Sequence, residues 1–252
     1  MGQPVSANPF NEPYVPPGAP KPVMQELVTA YPKLKAWSYS TVNQHAQCPL
    51  SIRYQKLDRL PQPDNPAQGR GKKIHDELAH LIRTGDFPPG ATIPHREQWK
   101  TRLGFLHAAN AEAELQVAFT REWKSVSWFG AGVWCRVVID GLMVVGDVAS
   151  VHEHKTGKWY PQHEQQERLY ALAVMKLKPE VNLVLVQCNY IDDPERATTI
   201  TRFTRAQEAD LEQEFLEFAT PMLSDDIYPA SPGTHCNRCH YRKSNAGPCA
   251  FG

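Results

Sequence analysis

Residues 137–158, VVIDGLMVVGDVASVHEHKTGK, decide how the chain folds. Two apolar, β-branched runs flank Gly146-Asp147, and a two-residue connection with glycine first suits a type II′ hairpin turn. Partners across such a turn have numbers summing to 293, so Val145 faces Val148 and Asp140 faces Glu153. The two carboxylates then sit on neighbouring strands with Cβ atoms roughly 4.5–5.5 Å apart. Like charges that close repel unless a cation or proton lies between them, and a hard divalent ion with oxygen ligands meets that need. Lys155 lies two residues beyond Glu153, on the same face and about 6–7 Å further along. An ammonium there can orient or activate a water while a metal neutralises charge on a phosphoryl group. Alternation sends His154 to the opposite face. The competing reading is a solvated strand end, with Asp140 merely starting a turn.

Further strand-like runs at 114–123, 132–142, 181–191 and 198–203 surround this hairpin. Ile74, Leu78, Leu81 and Ile82 recur at helical spacing, which predicts an amphipathic helix ending at Gly85. Before it, Ser38 or Ser40 can cap a helix interrupted at Cys48-Pro49, and PQPDNPAQGRG reads as a loop. Helices are also expected near 22–29, 96–113, 162–175 and 206–219. The order predicts an α/β fold, a mixed central sheet flanked by helices. Residues 1–20 are rich in proline and poor in aliphatic periodicity and read as a disordered tail. Residues 21–230 form the body, and 231–252 a cysteine-rich segment.

Lysine plus arginine equals aspartate plus glutamate at 27 each, so any charged partner must be held by local patches. No apolar run approaches the roughly 20 residues that cross a bilayer, and no basic-then-apolar signal pattern opens the sequence, so a cytoplasmic protein is expected. Cys135 and Cys188 lie in apolar strands and read as small core residues. Cys236, Cys239 and Cys249 crowd into CNRCHYRKSNAGPC. Three thiolates leave a tetrahedral zinc or a four-iron cluster one ligand short, and Cys48 is the natural fourth. His235 and His240 are the alternative ligands for zinc.

Taken together, these residues resemble the PD-(D/E)XK nucleases, and within them the RecB-like exonucleases. GRGKKIH, with His75, looks like that branch's glycine-to-histidine helix motif. VVID supplies Asp140, EHK is similar to the acid-x-lysine signature at Glu153 and Lys155, and QERLY matches a Gln-x-x-x-Tyr helix motif at Gln166 and Tyr170. Val137 stands where many members have glycine. The resemblance implies a restriction-endonuclease-like core in which His75, Asp140 and Glu153 hold Mg²⁺ or Mn²⁺ and Lys155 acts on the attacking water. Gln166 and Tyr170 then help hold DNA. One cysteine before the core and three after it resemble the AddB and CRISPR-associated exonucleases, which implies a [4Fe–4S] cluster joining the N- and C-terminal segments, with zinc as the alternative.

Lys72 and Lys73 supply local positive charge, and Trp37, Tyr39, Trp128 and Trp159 are candidates for stacking on bases. The resulting expectation is a metal-dependent DNA exonuclease acting on single strands or ends in recombination, repair or end-processing, in a bacterial or phage-infected cell. Recombination or replication proteins are its expected partners. The alternatives are a vestigial DNA-binding recombination partner and a zinc-stapled interaction module on a nuclease scaffold.

Overall fold

The computed structural model describes residues 30–62, 66–158, 160–196 and 198–251. The tail at 1–20 and the helix expected at 22–29 lie outside them. The hairpin forms as its turn requires. Strands β3 (Cys135–Val145) and β4 (Val148–Lys155) pair from Val145–Val148 to Gly141–His152, and Gly146 takes φ +60° in the turn. β4 then runs parallel to β5 (Leu183–Tyr190). Parallel neighbours need a crossover, and α6 (Gln162–Leu177) provides it. Strands β1 (Glu112–Phe119) and β6 (Thr199–Thr204) extend the sheet antiparallel on its two sides, and a two-residue β2 (Ser125–Val126) ends it. The order among the described residues is β2-β1-β3-β4-β5-β6, the mixed sheet that the element order predicts.

The sheet divides two cores. The larger gathers Val117, Val137, Ile139 and Val151 with Leu172 of α6 and Phe215 of α7 (Glu208–Ser224). Val137 is thus a core residue. The smaller lies under α3 (Pro66–Thr84), α4 (Arg96–Leu103) and α5 (Phe105–Ala108), with Leu78, Trp99 and Leu106 at its centre. Ile74, Leu78, Leu81 and Ile82 are buried as their spacing predicts, and Gly85 ends α3 with φ +82°.

Three boundaries differ from expectation. Helix α3 begins at Pro66, inside the expected loop, because proline is pre-organised for a helix's first position. Its glycines each cost about 1 kcal/mol against alanine; Gly71 faces the turn after β4, where a Cβ would make an ordinary contact, 3.4 Å from Thr156 Oγ1. The expected 96–113 helix breaks at Gly104 and stops at Ala108, and Asn110 turns the chain with φ +53° into β1. Ser38 does cap α1 (Tyr39–Gln47), which ends at Cys48 before α2 (Pro49–Ile52). Ahead of α1, Trp37 bonds both ways to β3, its N–H to the Trp134 carbonyl at 2.8 Å and its carbonyl to the Arg136 N–H at 2.9 Å. That segment fills the edge of β3 that β4 does not reach, and it buries Trp37, so this ring packs rather than stacks on a base.

Candidate active site

Asp140 stands where β3 and β4 part. Their last ladder pair is Gly141–His152, and beyond it Asp140 Oδ2 accepts the His154 backbone N–H at 2.8 Å. His154, whose side chain alternation sends to the opposite face, is therefore the residue whose backbone fixes Asp140. Its buried ring lies 6.3 Å from that of His75.

On the other side of β3, the pairs Ala113–Gly141 and Leu115–Ile139 bracket Glu114 and Asp140 as opposite positions. Glu114 has φ +52°, a conformation that is rare outside glycine and costs of order 1–3 kcal/mol. Residues two apart in a strand normally share a face. Here Ala113 packs on the smaller core and Leu115 on the larger, while Ile139 and Leu142, an odd step apart, both enter the larger. Both strands thus change face at the same paired positions, and Glu114 and Asp140 are released from the cores to line a cleft.

His75 approaches from α3, its Nδ1 3.2 Å from Asp140 Oδ1 and 3.6 Å from Glu114 Oε1. One potential ligand atom from each of the three lies within 4.8 Å of the others. Burial opposes a charged imidazole, but the hydrogen bonds with Asp140 and Glu114 outweigh it and push the His75 pKa up to about 10. Burial and the Glu153 charge lift Asp140 to about 7, against the pull of His75. The charged imidazole offsets part of the negative charge of Asp140 and Glu114.

Glu153, Lys155, Gln166 and Tyr170 form a closed ring of contacts. Lys155 Nζ lies 2.5 Å from Glu153 Oε1 and donates to Gln166 Oε1 at 2.6 Å. Gln166 Nε2 donates to the Tyr170 hydroxyl at 2.6 Å, and that hydroxyl is hydrogen-bonded to Glu153. Burial pulls the Lys155 pKa down, but the Glu153 charge more than reverses this, so the ammonium stays charged. Burial pushes the Tyr170 hydroxyl well above its usual range and keeps it a donor. Glu153 Oε2, by contrast, is sealed from water and has no hydrogen-bond partner. A buried orphan oxygen needs compensation. Three carboxylates and an imidazole, one oxygen orphaned, are a donor set that a divalent cation of the Mg²⁺ or Mn²⁺ kind fits.

The structure therefore gathers His75, Asp140, Glu153, Lys155, Gln166 and Tyr170 at one cleft, and adds Glu114. Lys72 and Lys73 are exposed on α3 and do not line it; Lys73 lies 3.9 Å from Glu77. Trp128 does line it, as does Tyr39, whose ring stacks on Phe218 at 5.7 Å. Trp159 lies outside the described residues. Cys48, Cys236, Cys239 and Cys249, all half-buried, line a second cleft of about 740 Å³ with His235 and His240. Leu50 N–H donating to the Pro229 carbonyl at 3.1 Å, and the Tyr54 and Tyr241 rings 5.2 Å apart, tie the segments that carry them. Cys188 donates its S–H to Glu167 at 3.0 Å and is buried, as its core assignment expects. Among the described residues no helix is long and apolar enough to cross a membrane.

No curated protein sequence matches the chain. The solved structure of SSO0001 is 12% identical, with 83% of this chain and 85% of that one covered at a TM-score of 0.45. A candidate exonuclease from Eubacterium rectale is 11% identical, with 86% and 90% covered at 0.46. The sequence profile of the PD-(D/E)XK nuclease superfamily matches residues 98–244, more than half of the chain and the span holding Asp140, Glu153 and Lys155. The chain belongs to the PD-(D/E)XK nuclease superfamily, whose members are metal-dependent nucleases.

Proposed function

We propose that this protein is a RecB-like DNA exonuclease that hydrolyses phosphodiester bonds of single strands or DNA ends. The observation that carries the reading is the orphaned, buried Oε2 of Glu153, whose Oε1 pairs with Lys155 and whose charge bears on buried Asp140. His75, Asp140 and Glu153 would hold Mg²⁺ or Mn²⁺, with Glu114 as a further oxygen donor beside His75. The bound cation neutralises charge on the phosphoryl group and favours ionisation of the attacking water. Asp140 is held for its task by the His154 N–H on its second oxygen. Lys155, kept charged by Glu153 and aimed by Gln166, orients the water and stabilises the negative charge that develops on the phosphate. Gln166 and Tyr170 fix that ammonium from one face of α6 and border the bound strand. Lys72 and Lys73 would add sequence-independent attraction at the outer surface.

The same reading assigns Cys48, Cys236, Cys239 and Cys249 to a [4Fe–4S] cluster that joins residues 231–252 to the body. What supports a shared site is that the four half-buried cysteines line one cleft, where His235 and His240 are the alternative ligands for zinc. Recombination, repair or end-processing of bacterial or phage DNA in the cytoplasm is the setting that this activity suits. Digestion of 5′-labelled linear single strands beside closed circular ones, in Mg²⁺, tests the reading. An exonuclease degrades the linear DNA only; cleavage of both at similar rates would replace it with an endonuclease.

A further inference from the structure

The site described above lies in a cleft of about 760 Å³. The same lining carries Lys35, Lys56 and Arg136, none of them in a motif, together with Trp128. Cations and carboxylates lining one cleft suit an anionic polymer, with phosphates on the cations and a metal on the carboxylates. Strand β3 sets the scale, since Arg136 precedes Asp140 by four residues, about 13 Å of extended chain.

The loop at 127–132 connects β2 to β3 and is shaped by two glycines. Gly130 donates to the Ser127 carbonyl at 2.8 Å, where a Cβ would meet Ser127 Oγ at 2.7 Å, and Gly132 has φ +76°. Arg136 Nε donates to the Trp128 carbonyl at 3.0 Å, with its guanidinium 5.7 Å from the Trp128 ring centroid. The ring is thereby anchored in the cleft. The next residue, Phe129, is 89% exposed. One loop therefore sets an aromatic ring inside a cationic cleft and another in water beside it. Base faces can stack on such rings only when they are not stacked in a duplex.

We infer that the 127–132 loop selects single-stranded DNA, Trp128 and Phe129 stacking on successive unpaired bases while Lys35, Lys56 and Arg136 hold the phosphates leading to Asp140 and Glu153. The inference rests on the nuclease reading for its substrate but not for its test. Binding of labelled oligothymidylate to the full chain is measured by fluorescence anisotropy in EDTA, where no hydrolysis occurs, with a blunt duplex of the same length in parallel. Phe129→Ala and Trp128→Ala should each weaken single-strand binding by about five- to a hundredfold. Both should leave duplex binding unchanged, and Trp128→Phe should retain most of the affinity. Arg136→Gln should lower the salt slope of single-strand binding by about 1. Variants that bind the single strand like the wild type, or that weaken both DNAs equally, would overturn the inference. Single-strand selectivity of the expected pattern in a protein that cleaves nothing in Mg²⁺ would instead sink the nuclease reading and leave the strand groove standing.

Discussion

Lys155→Ala separates the two roles of the ammonium. Lys155 Nζ lies 2.5 Å from Glu153 Oε1, with the side chains 17% and 5% exposed. Removing one partner of a buried pair leaves the other charge uncompensated, at a cost of about 3–5 kcal/mol. Here the remaining charge also bears on Asp140, and no second cation within the ring replaces the ammonium; the charged His75 imidazole beyond it offsets only part of the loss. At roughly 2–4 °C per kcal/mol for a domain of this size, the melting temperature in EDTA should fall by about 6–20 °C. A divalent cation supplies the missing charge from the other side. Saturating Mg²⁺ should therefore raise the melting temperature of the variant more than that of the wild type. Differential scanning calorimetry in EDTA and in Mg²⁺ makes both comparisons. A variant within 2 °C of the wild type in EDTA, or one that Mg²⁺ shifts no further, would refute the reasoning, because Glu153 would then not depend on either cation.

Three further outcomes follow from other parts of the structure. Both Glu114→Gly and Glu114→Ala remove a carboxylate from beside His75, but only glycine relieves the φ of +52°, so the glycine variant should be the more stable of the two by about 1–3 kcal/mol, and both should weaken Mn²⁺ binding about 10–100-fold in titration calorimetry; an alanine variant as stable as the glycine one would contradict the strain assigned to that position. Asp225, although partly buried, is held below its usual pKa by the N–H groups of Tyr228 and Ile227 and by His45. A lowered carboxylate stabilises the fold above its unfolded pKa of about 3.9 and loses that contribution as pH falls through its folded value. Asp225→Ala should therefore cost about 1–3 kcal/mol at pH 7, with the deficit in melting temperature shrinking below about pH 4; a deficit that grew on acidification would reverse the sign. Anaerobically purified protein should carry iron and sulfide that Cys236→Ser loses, and colourless protein with stoichiometric zinc would refute the cluster.

The carboxylate pair at Asp140 and Glu153 was legible because a two-residue turn leaves the hairpin one register, and Lys155 followed from strand alternation. Glu114 was not legible by the same logic. The connection from Phe119 to Cys135 is long and contains its own short strand, so nothing local fixes the register of β1 on β3, and a carboxylate facing Asp140 looks like any polar strand residue. The reversal of faces at 114 and 140 is a tertiary effect, visible only once two cores compete for alternate positions. Helix α3 hid its first turn behind Pro66 and two glycines, because those residues punctuate most chains. Trp37 shows the same limit for aromatics, since composition could not tell a ring that fills the edge of β3 from one that meets DNA. Alternation places the His154 side chain but says nothing of its backbone N–H, which is what holds Asp140.

The central claim is that the Asp140–Glu153–Lys155 arrangement drives metal-dependent hydrolysis of DNA. The most direct measurement is the rate of nucleotide release from end-labelled linear DNA in Mg²⁺ and in EDTA, for the wild type, Glu153→Gln and Lys155→Ala, each verified as folded by its melting curve. Release is expected from the wild type in Mg²⁺ alone, with a loss of at least about a hundredfold in both variants. Equal rates in wild type and variants, or release undiminished by EDTA, would contradict it.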